Sequence, residues 1–210
     1  KNIQSLDFHQ KILEFKRLYP KKFSEIYDKL KLNAKLRSIF YDKKILNLFA
    51  KTLGGSPNNL YLNGFVFRMD APFDKKNTLK WHQDANYYPM SSKRNNLAGI
   101  CWIPITKVNK ENGTVIYIPK SHKQIIKIKP TKLKNLKTQQ RNIPISSEEN
   151  LNKKNMKLNS GDAFLFDLKL KHKSGFNSSK KIRLVIGCGF HLMEKKFIIG
   201  QERYKLNHYR

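Results

Sequence analysis

The sequence predicts a mainly β chain with helices at its N-terminus, an antiparallel sandwich or jelly roll with the helices packed outside. Three observations carry this. Apolar residues recur at helical spacing only in the first 55 or so residues. From about residue 60 onwards, short runs rich in Val, Ile, Phe and Tyr alternate with turns rich in Asn, Gly, Ser and Pro. No helical pattern separates those runs, which excludes a doubly wound α/β sheet.

In chain order, Ile3, Leu6, Ile12, Leu13, Phe15 and Leu18 mark a first helix that Pro20 interrupts. Phe23, Ile26, Tyr27 and Leu30 continue the pattern. Asp42 caps a further helix carrying Ile45, Leu46, Leu48, Phe49 and Leu53, and Gly54-Gly55 followed by Pro57 ends it. Strands are expected over 60–69, 98–105, 114–118, 163–170 and 182–190. Residues 123–157 are dominated by Lys, Asn, Gln, Ser and Thr and read as a polar insertion or lid. With 210 residues the chain fits one domain: a helical part over 1–55, then a β core over 60–191.

Composition narrows the function. Forty-three Lys and Arg against 15 Asp and Glu give a formal charge of +28. Such a field attracts anions and nucleic acid at low salt. The lysines run along the whole chain beside many Asn and Ile, so compositional bias is favoured over a focused patch. An anionic substrate, an anionic surface and nucleic acid remain as alternatives, the last with Tyr87, Tyr88, Lys93 and Arg94 as a stacking and binding loop. Cys101 and Cys188 sit in apolar runs and read as free buried thiols. That excludes a disulfide framework or a thiolate zinc site and fits a reducing cytoplasm. No stretch matches a secretory leader or a spanning helix.

One constellation carries chemistry. His82 and Asp84 stand two apart in Trp81-His82-Gln83-Asp84, and on an extended segment they share a face. His172 follows 90 residues later, and Arg183 lies 11 beyond it on an apolar strand. Two imidazoles and one carboxylate can hold one face of Fe(II) and leave the other open. A hairpin through Asn177-Ser178-Ser179-Lys180 is expected to bring Arg183 beside His172. Its guanidinium fork suits the far carboxylate of a keto-diacid, and Ser174 can lend a hydroxyl.

These segments resemble the phytanoyl-CoA dioxygenase family of Fe(II)/2-oxoglutarate oxygenases. The resemblance covers roughly residues 40–191, in order. Trp81-His82-Gln83-Asp84 looks like the family's Trp-His-x-Asp segment, and Cys101-Trp102-Ile103-Pro104-Ile105 like its tryptophan-bearing core strand. Glu111-Asn112-Gly113-Thr114 through Ile118-Pro119-Lys120-Ser121-His122 is similar to its Asn-Gly to Ile-Pro-x-Ser-His stretch. Gly161-Asp162-Ala163 and His172-Lys173-Ser174-Gly175 through Arg183 resemble its closing segment. The resemblance implies a double-stranded β-helix, a cupin-like jelly roll, with iron held by His82, Asp84 and His172. It implies that Arg183 and Ser174 bind the far carboxylate of 2-oxoglutarate, that Trp102 and Gln83 line the pocket, and that Arg68 faces it. His122 is read as a turn residue outside the metal shell. An acid at Asp84 favours hydroxylation, since related halogenases carry a small residue there. The expected activity is oxygen-dependent hydroxylation of a small, anionic organic molecule with release of succinate and CO2. The alternatives are a nucleic-acid- or protein-modifying oxygenase with the same iron site, or a non-catalytic jelly-roll binding protein.

Overall fold

The computed structural model describes residues 6–75, 78–87, 98–128 and 141–192. Four helices come first: α1 (Phe8–Leu18), α2 (Pro20–Leu30), α3 (Ala34–Ser38) and α4 (Lys43–Leu53). Asp7 and Gln10 form a capping box at the start of α1. Pro20 opens α2 from its first turn, where its missing N–H costs nothing. Asp42 caps α4, and Gly54, in the left-handed region at φ 72°, ends it.

Seven strands follow among the described residues: β1 (Leu60–Asp70), β2 (Ala98–Pro104), β3 (Val115–Tyr117), β4 (Lys154–Asn155), β5 (Phe164–Asp167), β6 (His172–Ser174) and β7 (Arg183–Leu192). They pair antiparallel in two sheets, one in the order β1-β7-β2-β5 and one in the order β4-β3-β6. Side chains alternate between the two faces of the larger sheet. Phe67, Met69, Cys101, Ile103, Leu184, Ile186, Cys188 and Phe190 form one buried cluster with Phe23, Phe40 and Phe49 of the helical part. Phe49 stacks on Phe190 at 4.2 Å between ring centroids. Trp102, Phe166 and Val185 point the other way and meet Val115 and Leu170 between the sheets. The result is the expected jelly roll with its helices outside.

The expected hairpin before Arg183 is not formed. β6 belongs to the smaller sheet and β7 to the larger one, so residues 175–182 carry the chain across the roll. Asn177 fixes this crossing, donating from Nδ2 to the carbonyls of Asp70 and Lys181. A polar run of this kind reads like a tight turn in one dimension, yet its side chains tie it to β1. His172 and Arg183 therefore face one another from opposite sheets.

The polar stretch over 123–157 contains structure that its composition hides. α5 (Ser147–Leu151) starts with a capping box between Ser146 and Glu149, and β4 adds to the smaller sheet. Lys171 pairs with Glu149, tying α5 to the roll. Residues 129–140 lie outside the described residues. Among the described residues no helix is long and apolar enough to cross a membrane. Cys101 and Cys188 are free, buried and directly opposed across β2 and β7.

Candidate metal centre

Three side chains converge between the sheets. His82 and His172 are joined by an isolated antiparallel bridge. Gln83 is extended, with φ −124° and ψ 127°. His82 and Asp84 on either side of it therefore project together and Gln83 projects away. The His82 and His172 rings lie 4.1 Å apart between centroids. Asp84 Oδ1 is 3.7 Å from His82 Nε2 and Asp84 Oδ2 is 3.5 Å from His172 Nε2. One ligand atom from each of the three residues falls within 4.8 Å of the others.

The backbone sets the tautomers. His82 Nδ1 sits 2.7 Å from the Lys80 carbonyl, and His172 Nδ1 2.9 Å from the Leu170 carbonyl. A carbonyl only accepts, so each Nδ1 carries the proton and each Nε2 offers its lone pair to the centre. Burial, and then the neighbouring His172, pull the His82 pKa down to about 4. At neutral pH His82 is thus uncharged, the form that binds a metal, and its approach to Asp84 is not an ion pair. Two imidazole nitrogens and a carboxylate fit a divalent transition metal such as iron.

That cavity, of about 200 Å³, is lined by His82, Asp84 and His172 together with Arg68, Trp102, Thr114, Ser174 and Arg183. Arg183 is 3% exposed. Its Nε and Nη2 donate to Asp70 Oδ2 at 3.1 and 2.5 Å, while Arg68 Nη2 donates to Asp70 Oδ1 at 3.0 Å. Burial alone would raise the Asp70 pKa, but the charges of Arg68 and Arg183 outweigh it and hold the carboxyl below its ordinary value. Arg183 Nη1 is buried with no partner, and so is the Thr114 hydroxyl. Buried donors left like this are costly and call for an acceptor. Ser174 Oγ accepts from the Leu79 amide at 3.1 Å, which leaves its own proton to donate. The Arg183 guanidinium lies 5.9 Å from the Trp102 ring.

Asp70 and Thr114 were not expected from the sequence. Asp70 is two residues from Arg68 on one strand face, a spacing that could have signalled the contact. Thr114 is placed by Gly113, which lies at φ 77° where a Cβ would meet the Gly175 carbonyl at 2.7 Å.

Gln83 does not line the cavity. It is wholly buried, donating from Nε2 to the Gln124 and Lys169 carbonyls at 2.8 and 2.5 Å and accepting from the Ile126 amide at 2.8 Å. It stands between two residues that point inward, so alternation sends it outward. Arg68 and Trp102 do line the cavity. His122 is exposed on the turn over 121–123 and borders a different cavity, away from the metal ligands. The Tyr87 hydroxyl accepts from the Arg141 amide at 2.8 Å and its ring meets His82 edge-on, so it is no free stacking platform. Tyr88, Lys93 and Arg94 lie outside the described residues.

The sequence model of the phytanoyl-CoA dioxygenase family matches residues 17–185. Solved structures share the fold at low sequence identity. The non-heme monooxygenase ThoJ, in its apo form, is 20% identical with a TM-score of 0.60, over 88% of this chain and 69% of that one. EvdO2 from Micromonospora carbonacea var. aurantiaca, complexed with 2-oxoglutarate, is 16% identical with a TM-score of 0.58, over 76% and 64%. The epimerase SnoN, in complex with Fe3+, alpha ketoglutarate and nogalamycin RO, is 19% identical with a TM-score of 0.58, over 76% and 59%. No curated protein matches the chain.

Proposed function

The chain belongs to the phytanoyl-CoA dioxygenase family, and on that premise we propose that it is an Fe(II)/2-oxoglutarate-dependent oxygenase that hydroxylates a small organic substrate. One observation carries the reading: His82, Asp84, His172 and Arg183 line a single cavity, the three ligand atoms lie within 4.8 Å of one another, and Arg183 Nη1 is left without a partner. We take residues 1–210 as one oxygenase domain, with the helical part bracing the outer face of the larger sheet.

His82, Asp84 and His172 would hold the iron. The bound iron and 2-oxoglutarate supply the oxygen chemistry, with succinate and CO2 as products alongside the oxidised substrate. The residues of this chain do the rest. Lys80 and Leu170 carbonyls keep both imidazoles presenting Nε2. Arg183 Nη1 and the Ser174 hydroxyl receive the far carboxylate of the cosubstrate. Trp102 forms a wall of its pocket, and Phe166, edge-on to His172 at 4.9 Å, keeps water from that side of the ligand. Arg68 also lines the cavity, and with the +28 charge it favours a substrate bearing a carboxylate, phosphate or phosphonate. SnoN is an epimerase, so the outcome of oxidation is a property of each relative rather than of the fold.

The test is anaerobic visible absorption of metal-free protein on adding Fe(II) and then 2-oxoglutarate. A weak charge-transfer band that needs both additions is the expected result. Bound iron with no band would mean that the cosubstrate does not chelate, and the oxygenase reading would fall.

A further inference from the structure

We infer that Asp70 is a positioning residue for the cosubstrate, fixing the plane of Arg183 at the cavity wall so that its unpartnered Nη1 is kept for a far carboxylate. This rests on the reading of the cavity as a 2-oxoglutarate site.

The backbone places the pair. Asp70 ends β1 and Arg183 begins β7, and the two are direct partners in the antiparallel register. Arg68, two residues earlier, lies on the same face of β1. The Asp70 carboxylate is gripped on both oxygens, Oδ1 by Arg68 and Oδ2 by Arg183. Its backbone carbonyl accepts from Asn177 Nδ2 at 2.9 Å. A guanidinium has five N–H donors in a rigid plane. Here Nε and Nη2 are committed to Asp70, which fixes the plane and leaves Nη1 as the unpartnered, buried edge. A ligand meeting an edge already fixed loses less freedom on binding than one that must first order it.

The unpaired donor leads to selectivity. Arg68 and Arg183 share the single Asp70 carboxylate, and Arg183 keeps a buried Nη1 without a partner. A carboxylate from a ligand supplies that partner; a ligand without one leaves the donor buried and unpaired. Thr114 and Ser174 line the same cavity beside Arg183, and Ser174, whose hydroxyl accepts from the Leu79 amide, keeps its proton for the incoming carboxylate. The arrangement therefore distinguishes 2-oxoglutarate from a 2-oxo acid that chelates iron equally well but stops short, such as pyruvate.

The experiment titrates the Fe(II) protein anaerobically with 2-oxoglutarate and with pyruvate, following the charge-transfer band, in wild type, D70N, D70E, R183Q and the D70N/R183Q double variant. Loss of one charge-assisted contact predicts roughly 10- to 100-fold weaker 2-oxoglutarate binding in D70N, with pyruvate binding unchanged. D70E, which keeps the charge, recovers part of the loss. The double variant binds 2-oxoglutarate no more weakly than R183Q, because Asp70 acts through Arg183. Equal weakening of both ligands, unchanged selectivity, or additive losses in the double variant would each overturn the inference. If D70N does not fold, selective loss of 2-oxoglutarate in D70E carries the test, and D70E at wild-type selectivity overturns it. A wild-type protein that shows no band with either ligand overturns the cosubstrate site itself, and Asp70's role with it; a wild-type band with indifferent Asp70 variants overturns only the latter.

Discussion

His82 and His172 exchange both of their backbone hydrogen bonds, the His82 amide to the His172 carbonyl at 2.9 Å and the reverse at 3.0 Å. The two proposed iron ligands are thus one cross-strand pair, held by main chain rather than by side-chain packing. Ligand placement and fold can be separated by mutation for that reason. His172→Ala should keep the bridge and the far-ultraviolet circular dichroism while reducing bound iron to background in a metal assay. Iron and turnover both surviving would show that His172 is not a ligand.

The buried histidines predict how the metal-free protein responds to acid. His82 and His191 each have a pKa drawn down to about 4, chiefly by burial, against 6.5 when exposed. A base whose folded pKa is depressed takes up protons more readily in the unfolded chain. Its contribution is therefore complete above 6.5 and is lost as pH falls from there towards 4. Each group accounts for about 3 kcal/mol over that range. Thermal unfolding of metal-free protein should shift to lower temperature between pH 7 and pH 4.5. An unchanged Tm would contradict the burial of these rings.

Gln83 makes a different prediction from the one its place in the motif suggests. Its amide joins three backbone segments, at Gln124, Ile126 and Lys169. Gln83→Ala should cost about 2–4 kcal/mol in denaturant unfolding, since three backbone groups, one of them in a fully buried bond, lose their partner. The preference for 2-oxoglutarate over pyruvate should not move. A selective change in cosubstrate affinity, with stability intact, would return Gln83 to the pocket wall.

Phe49 tests the brace between helices and roll. It is fully buried and stacked on Phe190. Phe49→Ala should destabilise by about 3–5 kcal/mol. Because Phe190 faces away from the cavity, the iron stoichiometry of the folded fraction should be preserved, as read by metal analysis after gel filtration.

What could be read in advance followed local periodicity. The His-x-Asp geometry needs only the alternation of an extended segment, and residues 82 to 84 keep it. The long strands β1, β2 and β7 announce themselves by apolar content. α3 and α5 have five residues each, too short for a periodic signal. Asp70 at the end of a strand looks like a turn residue until β7 is laid beside it. That pairing spans more than 110 positions and no local pattern encodes it. The crossing between sheets reads as a hairpin for a related reason: the bond that redirects it runs from Asn177 to the end of β1, a distant part of the chain.

The grip of Gln83 on residues 124 and 126 has a counterpart further on. Asn86 donates to the Ile126 carbonyl, the Tyr87 hydroxyl holds the Arg141 amide, and the Trp81 carbonyl holds the Ile143 amide. The chain thus leaves at 126 and returns at 141 against the same seven residues that carry His82 and Asp84. Two stretches distant from one another in sequence are thereby moored to one short segment, and side chains on either can change without displacing the two ligands that the segment carries.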